Sequence, residues 1–365
     1  MSDPANFSKT LITWYLNHKR RLPWRETNNP YHIWISEIIL QQTRVNQGLG
    51  FYQRFIERFP DIQTLAEATE EDVLKLWEGL GYYSRARNMH FTARFLVNNC
   101  NGEFPRDAEK LEKLKGIGKY TAAAIASIAF NKPAAVVDGN VLRFLARYAG
   151  IENPIDNRDT VNAISNLAKS LMGGSNPGMF NQAMMEFGAL QCVPQKPDCN
   201  SCCFVTHCKA FRIGKVGSLP LKTMKPKPLS RFFNYLVIQL DQTDGAHLVL
   251  KRRNNHDIWK HLYDFPLIEA TELFDLKHVS NHPDVRSMFI NCEPVAGVFE
   301  GVYRHQLTHR IIHAKFFKLN IPDASCLLDQ SNLIITSDLS RYPLPRMISR
   351  FVSENFVATL IKPEA

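Results

Sequence analysis

The spacing of the hydrophobic residues changes once along this chain of 365 residues, and the change limits the folds that it can adopt. Residues 5–210 follow a helical pattern, in segments of about 8–18 residues separated by short turns. After residue 231 the pattern has period two: "FFNYLVIQL" and "HLVLKRR" are predicted strands, residues 299–319 a strand–turn–strand, and residues near 344–359 a closing helix. We therefore expect a multidomain protein with an all-α domain followed by an α+β domain.

The stretch between the two patterns, residues 211–230, is predicted to be a basic linker. Between residues 209 and 231 the chain holds seven basic residues, three prolines and no acidic residue. That composition is too polar and too interrupted by proline for a core element. The predicted domains are therefore 1–210 and 231–365, and each is long enough to bury a core of its own.

The charge balance indicates an acidic partner. Lysine and arginine outnumber the acids by 44 to 35, which gives a pI near 9.1. Nucleic acid is one such partner, although many soluble proteins are mildly basic. The N-terminus, "MSDPANFSKTLITWYLNHKR", lacks the pattern of a secretory signal, and no segment approaches the roughly 18 apolar residues of a membrane span. We expect no membrane association and a cytoplasmic location.

Four cysteines form a candidate metal site. Five of the eight cysteines fall between Cys192 and Cys208, in the spacing Cys192-x6-Cys199-x2-Cys202-x5-Cys208. Without an export signal, such a cluster favours metal binding over disulfides. Four thiolates suit tetrahedral zinc or an iron–sulfur cube, and the spacing alone does not decide between them. Cys203, beside a ligand, is expected to be a bystander.

Two further stretches carry chemistry. In "LKGIGKYTAAAIASIAF", residues 114–130, Gly116 and Gly118 would let the backbone approach a DNA phosphate at a helix start, although such turns often only connect helices. Two carboxyls stand in apolar surroundings: Glu37 within "WISEIILQQT" and Asp138 within "AAVVDGNVLRF". For Asp138 alone, a helix N-cap is the simpler interpretation.

Taken together, in this order and at these separations, the features resemble the helix-hairpin-helix DNA glycosylases that carry an iron–sulfur cluster. Within them the chain is most similar to the MutY-type adenine DNA glycosylases, which remove adenine mispaired with 8-oxoguanine. The resemblance covers residues 22–208 almost without a gap, through "LPWR", "WISEIILQQTRV", "LWEGLGYYSRARN", "LKGIGKYTAAAI", "VVDGNVLR" and "FNQAMMEFGALQC".

The resemblance implies a fold, a cofactor and a partner. The fold would be a helix-hairpin-helix glycosylase domain with a cluster loop, followed by a MutT/Nudix-like domain. The four cysteines would hold a [4Fe-4S] cluster. The partner would be double-stranded DNA containing adenine opposite 8-oxoguanine or guanine, bound by a monomer in the nucleoid. The linker would contact phosphates and could also bind a repair protein.

The resemblance also implies catalytic roles. Glu37 would protonate adenine at N7 and then assist water, with its pKa raised by apolar neighbours. Asp138 would face the sugar as electrostatic partner or transient nucleophile. Tyr120 would hydrogen-bond Asp138, and Asn140 would position sugar or water. Strand-cleaving relatives have a lysine where this chain has Tyr120, so we expect a glycosylase that leaves an abasic site.

Other residues are expected to contact DNA. By resemblance, Gln41 and Gln42 extend the Glu37 helix to the base stack, and Gln42 and Tyr82 fill the gap left by the flipped base. Gly116, Gly118 and Lys119 belong to the hairpin; Lys119 could touch phosphate or supply weak lyase activity.

The second domain lacks the acidic Nudix box, so it should bind and not hydrolyse. Where the family has Phe-Ser-His against 8-oxoguanine, this chain has Leu307, Thr308 and His309. Thr308 keeps a hydroxyl that could read the lesion, and Leu307 remains an apolar wedge. A solvated face or a metal site at His305, His309 and His313 is the alternative.

Two other functions remain open at this point. One is a thymine-glycol type glycosylase and lyase of the same superfamily, which Tyr120 and the second domain disfavour. The other is a redox-sensing iron–sulfur DNA-binding protein without catalysis, which would not need Glu37 and Asp138.

Overall fold

The computed structural model describes residues 3–224, 226–242, 245–253, 257–328 and 333–356. The chain forms two compact units. The first contains Met1–Ala68 and Asn88–Lys225, and the second contains Thr69–Arg87 and Pro226–Ala365. Packing thus groups residues 69–87 with the second unit, whereas the domain ranges predicted from the sequence placed them in the first; those ranges stay predictions.

The part of the chain before residue 225 is helical, as the hydrophobic pattern indicated. Its α-helices, in chain order, are α1 (Pro4–His18), α2 (Pro30–Leu40), α3 (Val45–Arg58), α4 (Ile62–Glu67), α5 (Glu70–Leu76), α6 (Ser84–Cys100), α7 (Ala108–Glu112), α8 (Lys119–Phe130), α9 (Gly139–Ala149), α10 (Arg158–Leu171), α11 (Pro177–Leu190) and α12 (Lys209–Arg212).

Helix α2 begins with a proline after a capping asparagine, and it ends before the two glutamines that were predicted to belong to it. The Asn29 side chain accepts a hydrogen bond from Tyr31 N (2.9 Å), and Pro30 occupies the first helical position. The helix ends at Leu40, and Gln42 adopts a left-handed backbone with φ of +57°. The prediction that both glutamines extend this helix is therefore wrong: they form the turn that follows it.

Helix α8 occupies the centre of the first unit and packs against α2, α7 and α11. Its residues from Thr121 to Ser127 are all buried, and most are alanine, so neighbouring helices can approach closely. A second core forms where α9, α10 and α11 meet α1 around aromatic side chains such as Phe7, Phe144 and Phe187. The small residues of α8 thus place side chains from α2 and α11 within reach of one another.

The predicted linker is partly packed onto the first unit. Leu219 is buried, and Leu221 O accepts a hydrogen bond from Ile155 N (2.9 Å). Thr223 donates through N and Oγ1 to the Asp156 carboxylate. Four other apolar side chains of this stretch, Phe211, Ile213, Leu221 and Met224, are exposed, so the linker stays a prediction.

The strands of the second unit form one mixed sheet. They are β1 (Leu229–Gln242), β2 (Gly245–Arg252), β3 (Tyr263–Asp264), β4 (Leu267–Ala270), β5 (Val295–Val298), β6 (Tyr303–Gln306), β7 (Arg310–Ile321) and β8 (Leu333–Thr336). The main order is β3-β2-β1-β7-β5, with β4 on β1, β6 on β7 and β8 on β2. The central pair, β1 and β7, is parallel, and the other pairs are antiparallel.

The period-two pattern of β1 buries both faces of the sheet. Phe233, Tyr235 and Val237 join a core with α15 (Arg346–Phe356), the helix found where the sequence predicted a closing helix. The alternate side chains, such as Leu236 and Ile238, face α13 (Leu276–Asn281) and α14 (Pro283–Arg286). The predicted strand–turn–strand is the β6–β7 hairpin, closed by a bond from Leu307 N to Arg310 O (2.8 Å).

Among the residues that the structure describes, we find no helix with the length and apolar character needed to cross a membrane.

Candidate active site

A cavity of about 450 Å³ lies in the first unit, where α2, α8, α9 and α11 meet. All four residues predicted to be catalytic line it: Glu37, Tyr120, Asp138 and Asn140. They come from α2, from the first turn of α8 and from the start of α9. Residues that are about a hundred positions apart in the sequence therefore line one pocket. Together they supply two carboxyls, a hydroxyl and an amide.

Glu37 is a buried acid whose surroundings favour its neutral form. Burial raises the pKa of Glu37 to about 7, and the nearby charge of Asp138 adds to this effect. The hydrogen bond with Tyr120 and the charge of Arg25 oppose it. A carboxyl with a pKa near neutrality can donate a proton under physiological conditions, which an ordinary glutamate cannot.

The Tyr120 hydroxyl has different partners from those predicted. It donates to Met185 Sδ at 3.3 Å and also hydrogen-bonds Glu37, and burial raises its pKa well above 10. The predicted bond from Tyr120 to Asp138 is not formed, because the Tyr120 hydroxyl donates its single proton to Met185 Sδ. Tyr120 is thus a neutral group beside the acid and not a partner of the second carboxylate.

Asp138 is both the N-cap of α9 and a wall of the cavity. Its Oδ1 accepts from the backbone N of Asn140 (2.9 Å) and of Val141 (2.8 Å), and its Oδ2 accepts from Asn140 Nδ2 (2.7 Å). The pKa of Asp138 is raised above its ordinary value because burial outweighs these hydrogen bonds and the charge of Arg143, which lower it. The capping bonds therefore orient this carboxylate and favour its charged form.

Arg143 connects the cavity to the start of the cysteine loop. Its Nη2 donates to Asn140 Oδ1 (2.9 Å) and to Gly188 O (2.5 Å), and its Nε donates to Cys192 O (2.8 Å). The amide of Asn140 is therefore held at both ends, by Asp138 and by Arg143, and cannot rotate freely.

A third carboxyl in the cavity, Glu186, is surrounded by groups that favour its charged form. Its side chain is fully buried on α11 and accepts two 2.7 Å bonds from Arg25 and two more, at 3.0 and 2.5 Å, from the Arg20 side chain. Although burial alone would raise the pKa of Glu186, the bonds from Arg25 and Arg20 hold it at about 2. The cavity thus keeps one carboxyl charged and another, Glu37, ready to carry a proton.

The expected DNA-contacting residues of the first unit lie at turns. Gln42 is exposed, whereas Gln41 is half-buried and donates through Nε2 to Thr121 Oγ1 (3.3 Å). Gly116 has φ of +82°, and a Cβ there would lie 2.6 Å from Asn88 Cβ, so only glycine fits. Gly118, the N-cap of α8, has room for a side chain. The exposed Lys119 follows it at the helix start, where phosphate is favoured.

In the second unit, Tyr82 and Thr308 meet. Tyr82 is 46% exposed, and its hydroxyl lies 2.7 Å from Thr308 Oγ1 in the β6–β7 turn. His309 is exposed beside it. Leu307 is half-buried and packs against the sheet core, so its side chain is less available as a wedge than predicted.

The four predicted cysteine ligands line one small cavity in the first unit. Cys203 does not line it. Arg147, itself buried, donates to Cys192 Sγ (3.5 Å) and to the carbonyls of Val193 and Pro194. Within the described residues, no group of three or more His, Cys, Asp or Glu side chains is drawn together tightly enough to hold a single ion. The alternative of a histidine metal site on the β6–β7 face therefore has no support there.

Sequence reasoning missed Arg20, Arg25 and Glu186, although the matched stretches "LPWR" and "FNQAMMEFGALQC" contained two of them. Glu186 carries the same signal as Glu37: one acid in an otherwise apolar helix. A buried carboxylate requires partners. A lone acid in an apolar helix therefore predicts an arginine or lysine beside it, and Arg20 and Arg25 fill this role.

The chain is similar in sequence and in fold to DNA glycosylases. Residues 35–170 match the family described as "HhH-GPD superfamily base excision DNA repair protein". The adenine DNA glycosylase of Buchnera aphidicola subsp. Baizongia pistaciae is 39% identical over 71% of this chain and 73% of its own length. That of Buchnera aphidicola subsp. Acyrthosiphon pisum is 33% identical over 96% and 97%. A solved thermostable thymine-DNA glycosylase superposes with a TM-score of 0.53 and 30% identity, over 58% of this chain and 97% of its own.

Proposed function

Because the chain belongs to the family of MutY-type adenine DNA glycosylases, we propose that it hydrolyses the N-glycosidic bond of adenine paired with 8-oxoguanine or guanine in duplex DNA. The product is an abasic site. The observation that carries this proposal is the pair Glu37 and Asp138 in one cavity, one with a pKa of about 7 and the other capped by hydrogen bonds.

Glu37 acts as the general acid. Adenine leaves poorly as an anion, so the reaction needs a proton on the base before or as the bond breaks. With its pKa at about 7, Glu37 carries that proton in a large fraction of molecules near neutral pH. The proton goes to N7 of the flipped adenine, and the resulting carboxylate then accepts a proton from the attacking water.

Asp138 stabilises the sugar. As the bond to adenine breaks, the sugar becomes oxocarbenium-like and needs a negative charge close by. The bonds from Asn140 and Val141 orient Asp138 for this role before substrate arrives. Arg143 fixes Asn140 in turn, so the charge needs little reorganisation during the reaction.

The chemistry stops at the abasic site because none of the described residues that line the cavity is a lysine. Tyr120 stands at the start of α8, and a phenol cannot form the imine that strand cleavage requires. Lys119, the adjacent residue, is exposed and does not line the cavity. Its role is to neutralise a DNA phosphate together with the Gly116 turn.

DNA recognition uses both units. Gln42, exposed on its left-handed turn, enters the base stack, and the half-buried Gln41 supports that turn from Thr121. In the second unit, which we propose to be MutT/Nudix-like, the paired hydroxyls of Tyr82 and Thr308 contact 8-oxoguanine, with His309 beside them. The enzyme acts where the genome is, in the nucleoid of the cytoplasm, and works as a monomer.

The cysteine loop holds a [4Fe-4S] cluster on Cys192, Cys199, Cys202 and Cys208. The residues fit this group: four soft thiol donors line one cavity, and the buried Arg147 donates to Cys192 Sγ, which suits the negative charge of a thiolate-bound cluster. When bound, the cluster supplies a structural crosslink of the loop and a one-electron redox centre. Arg143 joins the same loop to Asn140 through Cys192 O.

The test uses the full chain and a duplex with one adenine opposite 8-oxoguanine. Alkali cleavage after reaction measures abasic sites, and borohydride trapping measures any imine. We expect alkali-labile sites without a trapped adduct, and a loss of about a thousandfold in rate for Glu37→Gln. Glu152→Gln, which changes an exposed carboxylate paired with Lys215, is the matched control.

Three outcomes would contradict the proposal. Near wild-type excision by Glu37→Gln would remove the acid from the mechanism. A strong borohydride adduct would favour the strand-cleaving glycosylases. Tight mismatch binding without any excision by the wild type would favour a non-catalytic DNA-binding protein.

A further inference from the structure

The turn that carries Tyr82 includes three residues with positive φ, and one of them is Tyr82 itself. Gly79 and Gly81 have φ of +93° and +71°, and Tyr82 itself has φ of +47°. Residues with a Cβ rarely adopt this left-handed conformation. A large, exposed ring on such a turn needs nearby contacts that hold it, since the backbone alone favours other conformations.

Arg85 supplies several of those contacts. Its guanidinium carbon lies 5.5 Å from the centroid of the Tyr82 ring, within the range of a cation–π interaction. Its Nη2 donates to Leu80 O (3.3 Å) and to Gly81 O (3.2 Å), and its backbone N donates to Tyr82 O (2.8 Å). One side chain thus contacts both the ring of Tyr82 and the two carbonyls that precede it.

A buried tryptophan fixes the position of Arg85 in turn. The guanidinium lies 5.2 Å from the centroid of the fully buried Trp77, and Trp77 Nε1 donates to Gly81 O (3.1 Å). Arg85 therefore sits between a rigid ring of the core and the exposed ring of Tyr82. Burial lowers the pKa of Arg85 to about 10, so the side chain remains charged at neutral pH.

We propose that Arg85 is the positioning residue for Tyr82: through the Tyr82 ring and the Leu80 and Gly81 carbonyls it holds that ring in its left-handed turn, ready to stack against DNA beside the mispair. The inference rests on the proposed function, in which Tyr82 contacts 8-oxoguanine, and on the expectation from the resemblance that its ring fills the gap left by the flipped base. Thr308 holds the hydroxyl end of the same ring, so the ring is held at its tip by Thr308 and on its face by Arg85.

If Arg85 holds Tyr82 in its bound conformation, its loss should change the affinity for DNA and not the rate of the chemical step. If Tyr82 is already in its bound conformation, binding to the mispair does not have to order it, and affinity rises without a change in the chemical step. Loss of Arg85 should therefore weaken binding to the mispair and leave the rate of the bound complex nearly unchanged. A contribution of Arg85 to folding alone would lower the melting temperature without this selectivity.

The experiment is a double-mutant cycle on the full chain with Arg85→Gln, Tyr82→Ala and the double variant. Kd is measured with a duplex that carries a non-cleavable adenine analogue opposite 8-oxoguanine, and with an undamaged duplex of the same sequence. We expect Arg85→Gln to raise Kd for the mispair about tenfold and for the undamaged duplex less than about twofold. The double variant should bind like Tyr82→Ala, because Arg85 acts only through that ring.

Two further variants serve as controls. Arg350→Gln removes an arginine that also lies over a tyrosine ring, Tyr303 at 5.6 Å, elsewhere in the second unit, and should leave both Kd values unchanged. Arg85→Lys keeps the charge but not the planar group that contacts ring and carbonyls together, so it should recover only part of the affinity. If Arg85→Gln does not fold, the same cycle built on Arg85→Lys decides the question.

Additive effects of Arg85→Gln and Tyr82→Ala would overturn the inference, as would unchanged Kd values for Arg85→Gln. Full recovery by Arg85→Lys would also overturn it, since a charge near phosphate would then explain the effect. Failure of the proposed function gives a different result: the wild type itself would neither prefer the mispair nor excise adenine from it.

Discussion

The Tyr82 hydroxyl lies 2.7 Å from the Thr308 hydroxyl, although the two residues are 226 positions apart in the chain. One belongs to a glycine-rich turn between helices and the other to the turn of a β-hairpin, yet both are in the second unit. Two hydroxyls that already share a hydrogen bond can exchange it for bonds to an acceptor and a donor on a modified base.

Removal of either hydroxyl should reduce discrimination between mispairs. For Thr308→Val and for Tyr82→Phe, we expect the ratio of excision rates, adenine opposite 8-oxoguanine over adenine opposite guanine, to fall about fivefold to tenfold. Single-turnover assays on the two duplexes measure the ratio. Tyr303→Phe, which loses a hydroxyl bonded to Glu354 (2.6 Å), is the control. An unchanged ratio in Thr308→Val would remove this hydroxyl from lesion recognition.

The pH dependence of excision should report the Glu37 proton. Since Glu37 must be protonated to act as the acid, the single-turnover rate should fall as pH rises through about 7, by about tenfold per unit beyond it. The residual rate of Glu37→Gln should be independent of pH over the same range. A wild-type rate that stays constant from pH 6 to 9 would be incompatible with this assignment.

The charged form of Glu37 should destabilise the folded protein, so stability should decrease as pH rises. Because burial raises the pKa of Glu37 from 4.5 to about 7, the folded chain binds a proton that the unfolded chain releases between these values. Stability therefore falls as pH rises through this window, by roughly 3 kcal/mol in total. Glu37→Gln should melt above the wild type at pH 8 and match it near pH 4.5. A wild type more stable than Glu37→Gln at pH 8 would show that Glu37 gains from its charge.

Glu186 should show the reverse behaviour. Its pKa of about 2 lies below the ordinary 4.5, so its stabilisation is present above pH 4.5 and is lost as pH falls toward 2. Glu186→Gln leaves Arg25 and Arg20 without their carboxylate, which should cost about 3–5 kcal/mol at pH 7. Thermal unfolding measures the loss. In the control, Glu152→Gln, the exposed pair with Lys215 is broken, and the melting temperature should stay unchanged.

The cysteine assignment gives a chemical prediction. Cys199→Ser should lower the iron bound per chain and the visible absorption of the purified protein, because one of four thiolate ligands is lost. Cys203→Ser should retain both, since Cys203 does not line the cavity formed by the other four cysteines. Equal iron in the two variants would contradict the ligand set, and zinc in place of iron would contradict the cluster.

Local patterns in the sequence predicted much of this molecule. The alternation in β1 and the N-cap of α9 at Asp138 follow from side-chain periodicity and from capping, which act over a few residues. Glu37 is conspicuous because a lone carboxyl in apolar surroundings is costly without a function or a partner, whereas the catalytic role of Asp138 was implied by the family resemblance. These inferences need no knowledge of distant contacts.

Contacts between segments far apart in the chain could not be predicted from the sequence. The bond from Tyr120 to Met185 and the arginine pair on Glu186 join segments far apart in the chain, and the choice among possible partners depends on helix packing. The end of α2 at Leu40 was also missed, because Gln42 adopts a left-handed backbone that its residue type does not signal. Tertiary contacts overrode local preference at each of these positions.

The placement of residues 69–87 in the second unit has a consequence for how this protein is made. During synthesis the segment leaves the ribosome early, but most of its own unit is still untranslated, with residues 88–225 intervening. The hydrogen bond between Tyr82 and Thr308 cannot form until Thr308 has been synthesised. A ribosome stalled near residue 225 would carry a nascent chain that contains Glu37 and Asp138 but lacks Thr308, the partner of Tyr82. The contact between Tyr82 and Thr308 is thus among the last that the growing chain can form.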